Sequence, residues 1–344
     1  MALAAEAAPE VETAAVPPPA DTTTVAPQAD GTAAAALPAG RPSASGTSLA
    51  AAAAGAASGR SLWRLALGIW ALLVVLTYLS PAAGHLNPYL TLTGVLVGFL
   101  VGLTGMGGGA LMTPILILLF GFTPTMAIGT DIAYAAITKY FGSWRHLKQH
   151  TVDLPLALWL ALGSVPAGLL GASAVHRIGL LGADTVNAVL LRVIGVALIV
   201  VAALLILRLV MKVPCADRTS NLPLSARRKA ATVAIGATTG FIIGLTSVGS
   251  GTLLAMFLIL FYPIASSRIV GTDVFHATIL LSATGLAQFH YGNVDVGMVA
   301  ALLMGSVPGV IAGSHLTVRT PTKALRVCLA VVLFLSGLAM LGKA

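Results

Sequence analysis

GVLVGFLVGLTGMGGGALMTPILILLF, Gly94 to Phe120, is an uninterrupted apolar run with a cluster of glycines at its middle, Gly105, Gly107, Gly108 and Gly109. A helix needs about 20 residues to cross the hydrocarbon core of a bilayer, so the apolar segment 89–120 to which the run belongs is too long for one straight span. Each glycine costs about 1 kcal/mol in a helix relative to alanine, and the cluster therefore marks a break. Lipid offers no partner for the N–H and C=O groups that a break frees. Such backbone survives at membrane depth only inside protein or beside a water-filled cavity, so the break is expected to face inward. A half-helix resuming near Ala110 would aim unpaired N–H groups and a positive dipole end at that cavity, a geometry that attracts anions.

The same pattern returns 142 residues later. GLTGMGGG, Gly102 to Gly109, lies over GLTSVGSG, Gly244 to Gly251; GTD at Gly129 to Asp131 lies over GTD at Gly271 to Asp273; Val152-Asp153 lies over Val294-Asp295; and GSVP at Gly163 to Pro166 lies over GSVP at Gly305 to Pro308. Internal repeats with Gly-interrupted apolar segments at matching positions are the pattern of secondary transporters, whose binding sites lie at the repeat interface. The candidate substrate ligands are accordingly the paired breaks, Thr104, Gly105, Gly107, Gly108 and Gly109 in the first and Thr246, Ser247, Gly249, Ser250 and Gly251 in the second. Thr130 and Thr272, from the paired GTD segments, join them. The outlying GxxxGxxxG glycines, Gly94, Gly98 and Gly102 with Gly236, Gly240 and Gly244, read instead as close helix packing.

Composition supports a bilayer as solvent. The chain is 57% hydrophobic and only 9% charged, with a mean hydropathy of +0.95, against about 25% charged in a soluble domain. Of its 11 acidic residues, Glu6, Glu10, Glu12, Asp21 and Asp30 lie in the first stretch, which leaves the apolar region almost free of negative charge. The net charge of +8 does not point to nucleic acid, because the basic residues sit in short loops between apolar segments. Cys215 and Cys328 form no CxxC pair or disulfide framework. No cofactor, metal site or catalytic set is expected: there is no HExxH or GxSxG, and GMGGG lacks the lysine and the strand–helix context of a nucleotide loop.

Residues 1–59 are rich in Ala, Pro and Thr and are expected to form a disordered tail. An uncleaved transmembrane helix follows at 60–80, then a first transport repeat at 89–210, a basic loop at 211–229 and a second repeat at 230–342. The expected fold is an all-α polytopic membrane protein of two repeats, each with a Gly-broken segment plus three transmembrane helices, preceded by the one extra N-terminal helix. Positive charge gathers at Arg60 and Arg64, Arg145 and Lys148, the 208–229 stretch, Arg268, and Arg319 and Lys323. If each broken segment enters and leaves on one face, all of these share a side opposite Arg177 and Lys343, and the positive-inside rule makes that side and the tail cytoplasmic. The repeats are then inverted, and the breaks meet from opposite faces.

Asp131 and Asp273 hold equivalent positions inside apolar segments, where ionisable groups are functional candidates by default. The competing reading makes each a helix cap. Lys139 either attracts substrate or snorkels to the interface, and His276 either carries a coupling proton or is a satisfied packing residue. Asp131, Asp273, His276 and Lys139 form the candidate coupling set.

From about Thr93 onward the chain resembles the sulfite exporter TauE/SafE family. The resemblance is carried by the G-x-x-x-G-x-x-x-G-L-T-G-x-G-G-G of Gly94 to Gly109 with Pro114 following, its copy at Gly236 to Gly251, and the paired GTD segments, GTDIAYAAITKYFGSWRH before TVD and GTDVFHA before GNVD. The copy departs from the pattern at Ser247 and Ser250, which stand in place of glycines, and many members carry a small polar residue where Asp131 stands. The resemblance implies transport of sulfite, sulfonates or related small organic anions. The expected function is thus a secondary transporter, an exporter of a small anion in a bacterial inner membrane, working by alternating access with protons as the candidate coupling ion. A channel, or a scaffold associating through GxxxG, fits the glycine spacing but gives no reason for duplicated buried aspartates. An enzyme would need a nucleophile and base or a metal set inside the bilayer.

Overall fold

Among the described residues from Pro88 onward, each half of the chain carries five helices, in the same order and of similar length. The computed structural model describes residues 70, 88–104, 109–180, 183–211, 225–262, 264–316 and 322–344. The first half comprises α1 (Pro88–Thr104), α2 (Gly109–Leu118), α3 (Pro124–Lys148), α4 (Leu154–Gly179) and α5 (Ala183–Val210). The second comprises α6 (Ala226–Thr246), α7 (Leu253–Phe261), α8 (Ser266–His290), α9 (Val296–Leu316) and α10 (Thr322–Lys343). Among the described residues there is no strand. The tail, nearly all of the expected first helix, Gly105, Gly107 and Gly108 and most of the basic loop lie outside the described residues.

Among the described residues, six helices are long and apolar enough to cross a membrane, namely Leu154–Gly179, Thr185–Val210, Ala226–Thr246, Ser266–His290, Val296–Ser314 and Lys323–Lys343. Their outward faces carry large apolar side chains such as Leu158, Leu162, Val200, Leu286, Phe334 and Leu335, which a soluble protein does not expose over so wide an area.

Glycine sets the packing. A Cβ on Gly94, Gly98 or Gly102 of α1 would collide with the backbone carbonyls of Leu302, Ser306 and Val310 on α9. A Cβ on Gly236, Gly240 or Gly244 of α6 would meet those of Leu160, Ser164 and Gly168 on α4. The packing expectation for these six glycines thus has its mechanism in backbone-to-backbone contact. Both pairs run parallel, since residue numbers rise together along the seam. Helices α3 and α8, and α5 and α10, are antiparallel. Gly129 at the start of α3 meets Asn293 beyond the end of α8, and Gly271 at the start of α8 meets Thr151 beyond the end of α3. Gly195 of α5 packs on Gly337 of α10, and Arg192 Nη2 donates to the Ala344 carbonyl at 3.2 Å.

These directions fix the path of the broken segments. The start of α4 follows the end of α3, α6 runs parallel to α4, and α8 begins beside the end of α3. The α6–α7 segment therefore leaves from and returns to one end of the helix bundle. By the same relations α1 and α3 both begin at the other end. Arg145, Lys148, Arg208, Lys229, Arg268 and Lys323 lie toward the first end, and Arg177 and Lys343 toward the second.

Candidate functional site

The second break is described in full and is buried. Helix α6 ends at Thr246, whose hydroxyl donates to the Ile242 carbonyl at 2.7 Å and accepts the Val248 N–H at 3.2 Å. Ser247 turns the chain with a left-handed backbone, φ 61°. Gly249 and Gly251 follow at φ 99° and 116°, a region that glycine enters without the steric cost a Cβ brings. Ser247, Val248 and Ser250 are all at or below 3% exposure. Among the described residues, neither the Ser250 nor the Thr252 hydroxyl has a hydrogen-bond partner.

Helix α3 grips this break at two points. Ser247 Oγ donates to Asp131 Oδ2 at 2.9 Å, and Lys139 Nζ donates to the Ser250 carbonyl at 3.0 Å. Asp131 and Lys139 stand eight residues apart on α3, a little over two turns, which lets one helix bracket the break from both sides. Thr113 Oγ1 on α2 also donates to Asp131 Oδ2, at 2.5 Å. Asp131 is fully buried and its Oδ1 meets no donor. Lys139 is only 7% exposed. Its ammonium therefore points inward, and the expectation that it snorkels to the interface is corrected: the break frees a buried carbonyl that binds it more closely than the interface would.

Asp273 holds the matching place on α8 with different company. It too is buried, and its Oδ1 has no partner. At the positions that correspond to Thr113, Ser247 and Lys139 stand Ala255, Gly105 and Leu281. Lys139 and Arg208 are the cations near enough to act on Asp273. His276, one turn along, is 1% exposed, pairs through Nε2 with Ser164 Oγ at 2.7 Å, and leaves Nδ1 without a partner.

Thr130 and Thr272 do a different job. Thr130 Oγ1 accepts the backbone N–H of Asp295 at 3.1 Å, and Thr272 Oγ1 accepts that of Asp153 at 2.9 Å. Each hydroxyl thus ties one half of the chain to the helix start in the other, where Asp153 Oδ1 caps Leu156 N–H at 3.2 Å and Asp295 Oδ1 caps Met298 N–H at 2.9 Å. Thr104 closes α1 and donates to the Leu100 carbonyl at 2.8 Å; Gly109 opens α2. Sequence reading missed Thr113 and Ser164. Ser164 lies in the repeated GSVP, so the repeat itself marked it, whereas Thr113 has no hydroxyl counterpart, Ala255 standing in its place.

A bundle of apolar helices with outward-facing leucines, a buried backbone break and ionisable groups sealed inside defines a multi-pass helical membrane protein. The chain belongs to the sulfite exporter TauE/SafE family, whose model matches residues 90–340. It is 41% identical over 251 residues to the probable membrane transporter protein YjnA of Bacillus subtilis, which covers 73% of this chain and 98% of that protein. It is 23% identical over 246 residues to YdhB of the same organism, across 72% of this chain and 96% of YdhB. It is 25% identical over 273 residues to MJ0441 of Methanocaldococcus jannaschii, across 74% and 96%. All three carry the name of probable membrane transporter proteins, and the family is one of transporters rather than enzymes. No solved structure matches the chain.

Proposed function

We propose that the protein is a secondary transporter that exports a small oxyanion, sulfite or an organosulfonate, across a bacterial inner membrane. The observation that carries this reading is the second break, where the Ser250 and Thr252 hydroxyls lie buried and without protein partners at the start of α7. Donors with nothing to bind, beside the Lys139 ammonium and a helix N-terminus, suit an acceptor-rich anion. Unmet buried polar groups cost about 1–3 kcal/mol each, which a bound anion offsets. The family resemblance supplies the substrate class.

The two halves act as inverted repeats. Support comes from the reciprocal packing, first helix of each half on the fourth of the other, third on third and fifth on fifth, and from broken segments that return to opposite ends of the bundle. Rocking of one half against the other then opens the site alternately to each side. The basic end is cytoplasmic by the positive-inside rule, and with it the tail. Asp131, Asp273, His276 and Lys139 form the coupling set, with protons as the coupling ion.

Purified protein in proteoliposomes, given labelled sulfite, sulfate, thiosulfate and small sulfonates with and without a pH gradient, tests the reading. Saturable flux of at least one sulfur oxyanion, stimulated by the gradient, is the expected result. Flux that does not saturate and ignores the gradient would make the protein a channel, and no flux of any anion would sink the proposal.

A further inference from the structure

A carboxylate is an unwelcome neighbour for an anion, yet Asp131 forms part of the wall of this site through Ser247, a residue of the break itself. Its hydrogen bonds are one-sided. Oδ2 accepts from both Thr113 and Ser247, while Oδ1 of the same fully buried carboxyl meets no donor. Ionised, Oδ1 is a bare negative acceptor on the carboxyl that Ser247 joins to the break, and repels an oxyanion there. In the neutral acid the proton goes on Oδ1, because Oδ2 is already taken up as an acceptor of two hydroxyls. That atom then becomes an O–H donor, matching the rest of the site.

We propose that Asp131 binds the transported anion only as its carboxylic acid, donating from Oδ1, so that each anion enters the site with one proton. The inference rests on the reading of the second break as the anion site, and adds to it a coupling residue and a stoichiometry.

The surrounding charges agree with that count. Lys139 and Tyr134 on α3 are the ionisable groups that act on Asp131 directly; Asp273 and His276 on α8 reach it through Lys139, and Arg208 on α5, beside Arg326 of α10, through Asp273. Helices α2 and α7 carry none, nor do the described side chains of α9. His276 counts as neutral, since its buried Nδ1 has no acceptor to meet a second N–H. In the empty site, Asp273 acts on both Lys139 and Arg208 and Asp131 on Lys139, so the two ionised carboxylates together balance the two cations. In the loaded site the anion takes over the balancing of Lys139, and Asp131 must be neutral for the buried charges still to cancel. A net buried charge is the costly alternative. The proton is taken from the solution that supplies the anion and returns to solution with it on the other side.

The test uses the full-length protein in lipid nanodiscs and methanesulfonate, whose charge does not change across the accessible pH range. Titration calorimetry in two buffers of different protonation enthalpy should find about one proton taken up per anion bound, and affinity falling about tenfold per pH unit once Asp131 is ionised in the empty site. Asp131→Asn, permanently neutral, should bind with an affinity that does not change with pH. Binding by the wild-type protein with no proton uptake overturns the inference, and so does an asparagine variant that keeps the wild-type slope. The wild-type proton count stands even if the variant does not fold. If methanesulfonate, sulfite and thiosulfate all fail to bind at any pH, the anion-site reading itself falls, a result distinct from either of the others.

Discussion

Asp131 and Asp273 stand at the same point of two matching helices, yet one is held by two hydroxyls and the other by none. The contrast separates scaffold from chemistry. Wherever the two halves keep the same contact, the contact is architectural: Thr130 on Asp295 and Thr272 on Asp153, the two aspartate caps, and the glycine seams of α1 with α9 and α6 with α4. Around the two aspartates the halves differ: Thr113 against Ala255, Lys139 against Leu281, Tyr134 against His276, and Ser247 where the first half has Gly105 in sequence. On the proposed reading, duplication supplies a frame that needs both copies, and divergence turns one side of it into a site.

The largest effect of a single change should fall on the frame. Gly240→Leu puts a side chain where a Cβ already collides with the Ser164 backbone, so folded protein should disappear from the membrane fraction, as judged by size-exclusion chromatography in detergent. Next comes the difference between the halves. Lys139→Leu, which copies Leu281 into the first half, removes the grip on the Ser250 carbonyl and the cation of the site; transport should drop at least about a hundredfold, with 2.7 kcal/mol or more lost, the scale of a severed charge-assisted contact. Wild-type flux in this variant would return Lys139 to a packing role.

Asp273→Asn sharpens the comparison from the other side. It removes a negative charge near Lys139 and Arg208 without touching the break, so KM should fall and turnover slow, each by about tenfold, as the anion is held more firmly. A rise in KM would mean that Asp273 binds substrate through a bridging proton. The smallest effect belongs to the architectural clips. Thr130→Val and Thr272→Val each leave a backbone N–H unmet and should cost about 1–3 kcal/mol of stability, in similar measure, with KM unchanged. Unequal losses, read by thermal unfolding in detergent, would break the equivalence of the two halves.

The apolar runs of the sequence end close to the observed helices, because a bilayer demands both length and hydrophobicity and leaves few ways to meet both. Glycine spacing likewise announced the helix seams. Side-chain partners were less legible. Lys139 meets a carbonyl 111 positions away, and nothing local to GTDIAYAAITKY says that a carbonyl is set free there. Thr130 and Thr272, read as substrate ligands, have hydroxyls that bind the backbone of the opposite half. The pairing of Thr with Asp at 165 and 119 positions' distance depends on how the halves interlock, which composition and periodicity do not encode.

The central claim is that the second break holds the transported anion, and the most direct measurement is substrate protection at Ser250. In a variant with Cys215 and Cys328 replaced by serine and Ser250→Cys introduced, labelling by a small neutral maleimide should slow markedly as a transported sulfonate is raised to saturation, and a cation such as choline should give no protection. Labelling at the same rate with and without saturating anion, in a variant that still transports it, would contradict the account.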